Sequence, residues 1–319
     1  DLDLGHYERF IDEELNYTSN ITSGKIYSSV IEKERRGDYL GSTVQMVPHI
    51  TNEIKNKIYE AGITSSADFV ITEIGGTVGD IESQAFIEAL RQIQYEKGSN
   101  ETFFVHTTLI PYMYGSGELK TKPTQNSVRD LRNMGIRADA LVCRCPYATP
   151  VSIKEKLALF CSIKKENIID AVDVKNIYQI PLNLYEQKID EIILKQFDMP
   201  IKKSNIKYWK DLVYTTEHLE KEVSVALVGK YIELHDAYLS VSEALKHAGY
   251  KYSTKVNIKW IDSESLENST SSLDEIFKDV KGIIVPGGFG SRGIEGKIRA
   301  IKYARENNVA FLGLCLGMQ

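Results

Sequence analysis

The chain has 319 residues, a net charge of −5 and an apolar fraction of 42%. That length allows two ordinary domains with sizeable cores and excludes an intrinsically disordered chain. The mild acidity, without a run of five basic residues, gives no reason to expect nucleic acid, and no apolar stretch approaches the ~18 residues that cross a membrane.

A helix-like pattern opens the chain almost at once, at a start without methionine. Strand-like apolar runs then fall at residues 43–47, 69–74, 102–110, 140–143, 168–172, 223–228, 256–261, 283–285 and 309–314. Between them, amphipathic patterns predict helices at residues 49–61, 81–97, 127–134, 152–160, 239–246 and 295–306. This alternation predicts an α/β protein of two domains, each a mostly parallel, doubly wound sheet with helices on both faces. In such folds ligands bind at the carboxyl ends of strands. The polar, weakly periodic residues 199–222 predict a linker between a first domain over 1–198 and a second over 223–319, with Trp209 pinning it to one of them.

In the first domain, Glu73 falls at the carboxyl end of the run 69–74, and the glycines that follow let the backbone approach a ligand. Asp80 and Glu82 open the next helix. Carboxylates in this setting suit Mg²⁺ shared with substrate phosphates. An N-cap role for Asp80 and a first-turn role for Glu82 fit the same two residues equally well. Lys120-Thr121-Lys122-Pro123-Thr124-Gln125 leads into the helix at 127–134, where free N–H groups flanked by two lysines can grip a triphosphate. A solvated surface loop is the other reading of that hexapeptide.

No G-x-x-x-x-G-K-[S/T] sequence occurs. Thr22-Ser23-Gly24-Lys25-Ile26, Gly229-Lys230-Tyr231 and Gly296-Lys297-Ile298 each fail on spacing or on the residue after lysine. If ATP is used, the loop cradling its phosphates is expected outside this chain.

The second domain carries the most informative stretch. Gly313-Leu314-Cys315-Leu316-Gly317 follows a short apolar run and reads as the cysteine form of a nucleophile elbow, with Cys315 exposed at the strand's end. Pro286-Gly287-Gly288-Phe289-Gly290 ends another buried run, and its N–H groups can face a developing oxyanion. The other reading of Cys315 is a small buried hydrophobe. The four cysteines, Cys143, Cys145, Cys161 and Cys315, form no C-x-x-C pair, which predicts a reducing, cytoplasmic setting. A thiol attacking an amide needs a base, yet all six histidines precede Cys315 without a pattern that marks a partner. Only Leu316, Gly317, Met318 and Gln319 follow it, so the sequence reads as an internal piece of a longer protein.

Taken in order, residues 1–10, 33–41, 73–82, 120–125, 229–234, 286–290 and 313–319 closely resemble the CTP synthase family over essentially the whole chain. The resemblance implies an ATP-dependent amidoligase domain joined to a class I glutamine amidotransferase domain. It implies that ATP phosphorylates O4 of UTP, and that ammonia released from glutamine at the cysteine displaces phosphate to give CTP. On the same basis, Asp3 and Glu73 match Mg²⁺ ligands, with Asp3 also an ATP contact. Lys120, Thr121, Lys122, Pro123, Thr124, Gln125 and Lys156 match UTP-binding positions. Asp80, Ile81 and Glu82 match the site where product CTP inhibits, with Phe160 nearby. Arg144, Asp173 and Val174 resemble adenine-contacting positions. Gly288 and Leu316 match the oxyanion backbone donors, Gln319 a glutamine contact, and Arg292, Gly293 and Glu295 the lid linked to GTP activation. A homotetramer is implied as well. The family's P-loop would precede Asp1 and its catalytic His and Glu would follow Gln319, so the piece alone is expected to be inactive. Two further readings stand beside this one: another glutamine-dependent amidoligase with a different acceptor, and a nucleotide-binding or assembly fragment without catalysis.

Overall fold

A computed structural model describes residues 3–270 and 272–319. It divides into two compact units, residues 13–210 and Asp211–Gln319, the second joined by the N-terminal segment through Asp12. The opening helix, α1 (Asp3–Ile11), therefore clusters with the second unit, not with residues 13–198. There Gly5 faces Ser240: a β-carbon at Gly5 would lie 3.5 Å from the Ser240 hydroxyl oxygen.

Residues 13–210 contain a helical layer and a sheet. The layer is built from α2 (Ser23–Arg36), α3 (Thr51–Ser65) and α4 (Gln84–Lys97). Each presents apolar residues four apart, Ile26 and Val30, Ile54 and Ile58, Ala85, Ala89 and Ile93, and these stripes pack into one core. Thr22 caps α2 by accepting from the Lys25 N–H, and Gly37 ends it at φ 83°. The buried Glu53 carboxylate is tied down by Lys33 and by the Ser29 hydroxyl at 2.7 Å, which together hold it below the usual carboxylate range against the upward push of burial.

The sheet of this unit is parallel, in the order β1 (Val105–Leu109), β4 (Ala140–Cys145), β5 (Ile168–Val172). A hairpin of β2 (Tyr112–Met113) and β3 (Glu118–Leu119) interrupts it in sequence. The helices α5 (Lys122–Asn133) and α6 (Val151–Cys161) cover the sheet, burying Val128, Leu131 and Leu157 against Leu141, Cys143 and Ile168. After β5 come α7 (Ile180–Glu186), α8 (Ile189–Gln196) and α9 (Lys207–Glu217). Trp209 stacks on Tyr178, with ring centroids 6.4 Å apart, so it packs against residues 13–210.

Two expected strands do not form. In residues 43–47, Val47 is extended only because the following Pro48 excludes the helical region; the chain then enters the turn Met46–Ile50 that leads into α3. Residues 69–74 are apolar but make no ladder with the free edge of β1, and Ile71 is 90% exposed. A free edge is thus present, and an apolar run becomes a strand only when its backbone is brought into register with such an edge.

The second unit is a four-stranded parallel sheet in the order β7 (Thr254–Asp262), β6 (Lys221–Gly229), β8 (Val280–Val285), β9 (Ala310–Gly313). Around it lie α10 (Leu239–Lys251), α11 (Ser263–Asn268), α12 (Leu273–Ile276) and α13 (Ile294–Glu306). Ala226, Val228, Ile283 and Val285 meet Ala300 and Ala304 of α13 in its core. The connection from β6 goes to one side and the later strands lie on the other. The strand order therefore reverses between β6 and β8, the place where ligands bind in open α/β sheets.

Candidate active site and nucleotide site

The carboxyl ends of β6, β8 and β9 meet at that reversal. From β9 the chain passes through Leu314, whose N–H donates to the Val285 carbonyl at 3.0 Å, into a one-turn helix Cys315–Gly317. Cys315 sits at φ 53°, in the left-handed region that non-glycine residues adopt only when their surroundings require it. The surroundings here are backbone on both sides. A β-carbon at Gly313 would lie 2.4 Å from the Gly317 carbonyl oxygen, and one at Gly317 would lie 1.9 Å from that of Val285. Both glycines are required by close approach, and they hold Cys315 exposed.

The glycine loop after β8 reaches the cysteine. Gly287 lies so close that a β-carbon on it would be 3.3 Å from the Cys315 Cβ and 3.6 Å from its Sγ. Gly288 is next to it, Leu316 follows Cys315 in the elbow, and the Gln319 N–H donates to the Cys315 carbonyl at 3.1 Å. The other three cysteines are buried, and burial pushes Cys143 up to about 11 and Cys145 to about 12, with Cys161 also raised. They are thus poor nucleophiles at neutral pH, whereas Cys315 stands at a strand end beside a glycine loop.

Two lysines underlie this loop, and local sequence reasoning had discarded both as failed phosphate motifs. Lys230 follows β6 and donates to the Phe289 carbonyl; Lys297, on α13, donates to the Pro286 carbonyl at 3.4 Å. Both are buried, at 8% and 4% exposure. Burial, and then the charge of Lys230, lowers the Lys297 pKa from its ordinary value. Their burial depends on β6, β8 and α13 meeting, which no local pattern reports.

The residues Arg292, Gly293 and Glu295 form the start of α13. Arg292 pairs with Glu264 at 2.9 Å, the Glu295 N–H donates to Glu267 Oε1 at 3.1 Å, and Gly293 adopts φ 77° with Ser263 against it. All three are thus tied to α11.

In residues 13–210, α5 starts at the expected grip. Thr121 precedes its first turn, Pro123 lies within that turn, and the Gln125 amide donates to the Thr121 hydroxyl at 3.0 Å. Thr124 is fully buried and donates toward Thr108 and the Leu109 carbonyl, fixing the helix start to the end of β1. Lys120 pairs with Glu118, whose carboxyl is held below its usual range first by Lys120 and to a smaller extent by the charge of Lys156. Lys122 lies over the Phe160 ring, 5.9 Å from its centroid. The fold therefore brings Lys120, Lys122, Lys156 and Phe160 together from α6 and the start of α5.

A cavity of about 330 Å³ opens at the carboxyl ends of β1, β4 and β5. Arg144 and Asp173 line it and pair at 2.9 Å; Val174 follows Asp173 in the chain and is half-buried. Tyr112 and Tyr114, which the sequence reading did not single out, complete its wall. Asp80 accepts from the Thr77 N–H at 3.3 Å and does not cap the turn Ile81–Ser83, while Ile81 and Glu82 are exposed. Glu73 is exposed on the preceding loop. Asp3 begins α1, and its side chain lies outside the described residues. Among the described residues no group of three or more His, Cys, Asp or Glu converges on a metal position. A carboxylate such as that of Glu73 is the kind of donor Mg²⁺ takes together with phosphate oxygens and water, whereas Asp3 belongs to the other compact unit.

An exposed cysteine at a left-handed elbow, packed against a glycine loop at the reversal point of a parallel sheet, defines a glutamine amidotransferase type of domain. The model of the class-I glutamine amidotransferase family matches residues 233–319. The model of the CTP synthase N-terminus matches residues 1–199, and the chain belongs to the CTP synthase family. Relatives described as CTP synthase include those of Caldanaerobacter subterraneus subsp. tengcongensis and Lactiplantibacillus plantarum, each 56% identical over all of this chain and 59% of the relative. That of Halalkalibacterium halodurans is 54% identical over all of this chain and 60% of its own length. The chain thus spans about three fifths of the relatives it matches. The solved glutaminase domain of Trypanosoma brucei CTPS with bound acivicin is 40% identical, covering 30% of this chain and 38% of that chain, with a TM-score of 0.27. No helix among the described residues is long and apolar enough to cross a membrane.

Proposed function

We propose that the chain carries the synthetase domain and the nucleophile-bearing part of the glutaminase domain of an enzyme that aminates UTP to CTP at the expense of ATP and glutamine. The observation that carries this reading is the placement of Cys315 on its elbow against Gly287, within a chain of the CTP synthase family. In this reading the Cys315 sulfur attacks the glutamine amide carbon. The Gly288 and Leu316 N–H groups receive the oxyanion, and Gln319 contacts the substrate. Released ammonia then displaces phosphate from a UTP phosphorylated at O4.

Lys120, Lys122 and Lys156, with Thr121, Pro123, Thr124 and Gln125, hold UTP at the start of α5. Asp80, Ile81, Glu82 and Phe160 take the cytosine nucleotide that inhibits. Arg144 and Asp173 line the cavity that takes adenine, and Val174 follows Asp173 in the chain. Asp3 and Glu73 would each supply a carboxylate to Mg²⁺, which when bound would neutralise phosphate charge. Arg292, Gly293 and Glu295 belong to the segment through which GTP activates, and the working form is a cytoplasmic homotetramer.

The test uses the full-length protein. Cys315→Ala abolishes synthesis from glutamine, by about 10³-fold or more, and leaves synthesis from free ammonia intact. Lys122→Ala removes a charge-assisted phosphate contact and raises the UTP requirement about 10- to 100-fold. Amination of an acceptor other than UTP in a nucleotide and carboxylic acid panel, or loss of both nitrogen routes in folded Cys315→Ala, refutes the assignment.

A further inference from the structure

Lysines are almost never fully buried unless paired with a carboxylate. Lys230 and Lys297 are both buried, neither has an ion pair among the described residues, and they lie side by side. A β-carbon placed on Gly288 would be 3.1 Å from the Lys230 Cε and 3.4 Å from the Lys297 Nζ, so both side chains press on one residue of the glycine loop. Their ammonium groups instead find the carbonyls of Phe289 and Pro286, one on each flank of Gly287 and Gly288.

We infer that Lys230 and Lys297 are positioning residues that brace the Pro286–Gly290 loop as an oxyanion-receiving surface. The inference rests on the reading of Cys315 as the glutamine nucleophile. In a trans peptide the N–H points opposite to the carbonyl. Anchoring the Pro286 and Phe289 carbonyls on the two ammonium groups therefore turns the Gly287 and Gly290 N–H groups away from the lysines, and it fixes both ends of the short span that carries the Gly288 N–H, the oxyanion donor of the proposed function. The fixed dipoles and both positive charges favour an anion at the loop, and the arrangement is set before the reaction begins. Two like charges buried together are unfavourable for stability alone. A loop needed only for packing would be served as well by apolar side chains.

The experiment separates loop bracing from structural support by comparing two reactions at the same sulfur. Glutamine hydrolysis passes through an oxyanion; alkylation of Cys315 by iodoacetamide displaces iodide at a saturated carbon and forms none. In the full-length protein, Lys230→Met and Lys297→Met are expected to lower kcat for glutamine hydrolysis about 10- to 100-fold. The KM for glutamine and the alkylation rate stay within about threefold of the parent, and Lys230→Arg and Lys297→Arg recover part of kcat. Where a methionine variant does not fold, Lys297→Gln, which keeps a donor without the charge, is compared in the same way. A parent kcat in a folded, uncharged variant overturns the inference, and so does a parallel fall of hydrolysis and alkylation. Cys315→Ala is the separate control: continued glutamine hydrolysis in it refutes the nucleophile reading itself.

Discussion

Gly317→Ala puts the elbow under a defined load. Its β-carbon would be placed 1.9 Å from the Val285 carbonyl oxygen and 2.7 Å from the carbonyl carbon, both backbone atoms that no rotamer change can remove. An ordinary contact begins near 3.4 Å, so the two segments must separate by about 1.5 Å. That carbonyl also accepts the Leu314 N–H at 3.0 Å, the bond that carries β9 into the elbow. Losing it costs about 1–2 kcal/mol and the overpacking adds about 1–3 kcal/mol, giving roughly 3 kcal/mol in all. For a unit of this size, at roughly 4 °C per kcal/mol, its melting temperature falls by about 12 °C. Thermal melts followed by circular dichroism, with iodoacetamide labelling of Cys315 as a local probe, measure both consequences. Gly24→Ala is the matched control: it lies exposed in the first turn of α2 with nothing within 4 Å of the new atom, and it should stabilise by up to about 1 kcal/mol. If Gly317→Ala melts within about 2 °C of the parent, the close approach of backbone at the elbow is not what holds Cys315.

Thr124→Val keeps the shape of a fully buried side chain but deletes its bonds to Thr108 and the Leu109 carbonyl, and urea unfolding should show a loss of about 1–3 kcal/mol. Asp262→Ala removes the carboxylate that accepts the Glu264 and Ser265 N–H groups at the start of α11; about 1 kcal/mol should be lost on the same assay. Glu88 has its carboxyl lowered to about 2 by the Arg91 hydrogen bond and, to a smaller extent, by Gln92. Because the folded pKa is depressed, its stabilisation is fully present above the unfolded value near 4.3 and is lost as pH falls through about 2. Glu88→Gln should therefore be less stable than the parent at pH 6, by less than about 1 kcal/mol at this partly exposed position, and the difference should vanish at the acid end of a melting-temperature series.

Much of the second unit was legible because its signals are local. Residues 223–228, 256–261 and 283–285 read as buried strands, and they lie within β6, β7 and β8 respectively. The G-x-C-x-G turn announced the elbow because only glycine tolerates the backbone contacts on either side of Cys315. Residues 69–74 carry a similar pattern, yet whether a run is brought alongside the free edge of β1 is not written in its composition. The helix α2 was missed although Thr22, the Ile26 and Val30 spacing and Gly37 mark its start, face and end. Its charged remainder diluted the apolar pattern. At the nucleotide site the hexapeptide 120–125 is visible as a local pattern, whereas Lys156 and Phe160 of α6 enter only through the family resemblance, since their approach depends on how two helices pack.

The two buried lysines show where motif reading stops and geometry begins. Gly229-Lys230 after β6 and Gly296-Lys297 on α13 both fail the phosphate-binding template on spacing or on the residue after lysine. A phosphate-binding loop turns its N–H groups inward around an anion. At this site the Pro286 and Phe289 carbonyls turn inward instead, toward ammonium groups. Peptide planarity then sends the companion N–H groups of Gly287 and Gly290 away from the lysines. The same chemical ingredients, glycines and a lysine beside a strand end, thus serve opposite polarities. What decides between them is whether the lysine faces the ligand directly or supports the loop from behind, and that depends on the neighbouring strand and on the helix that crosses beneath it.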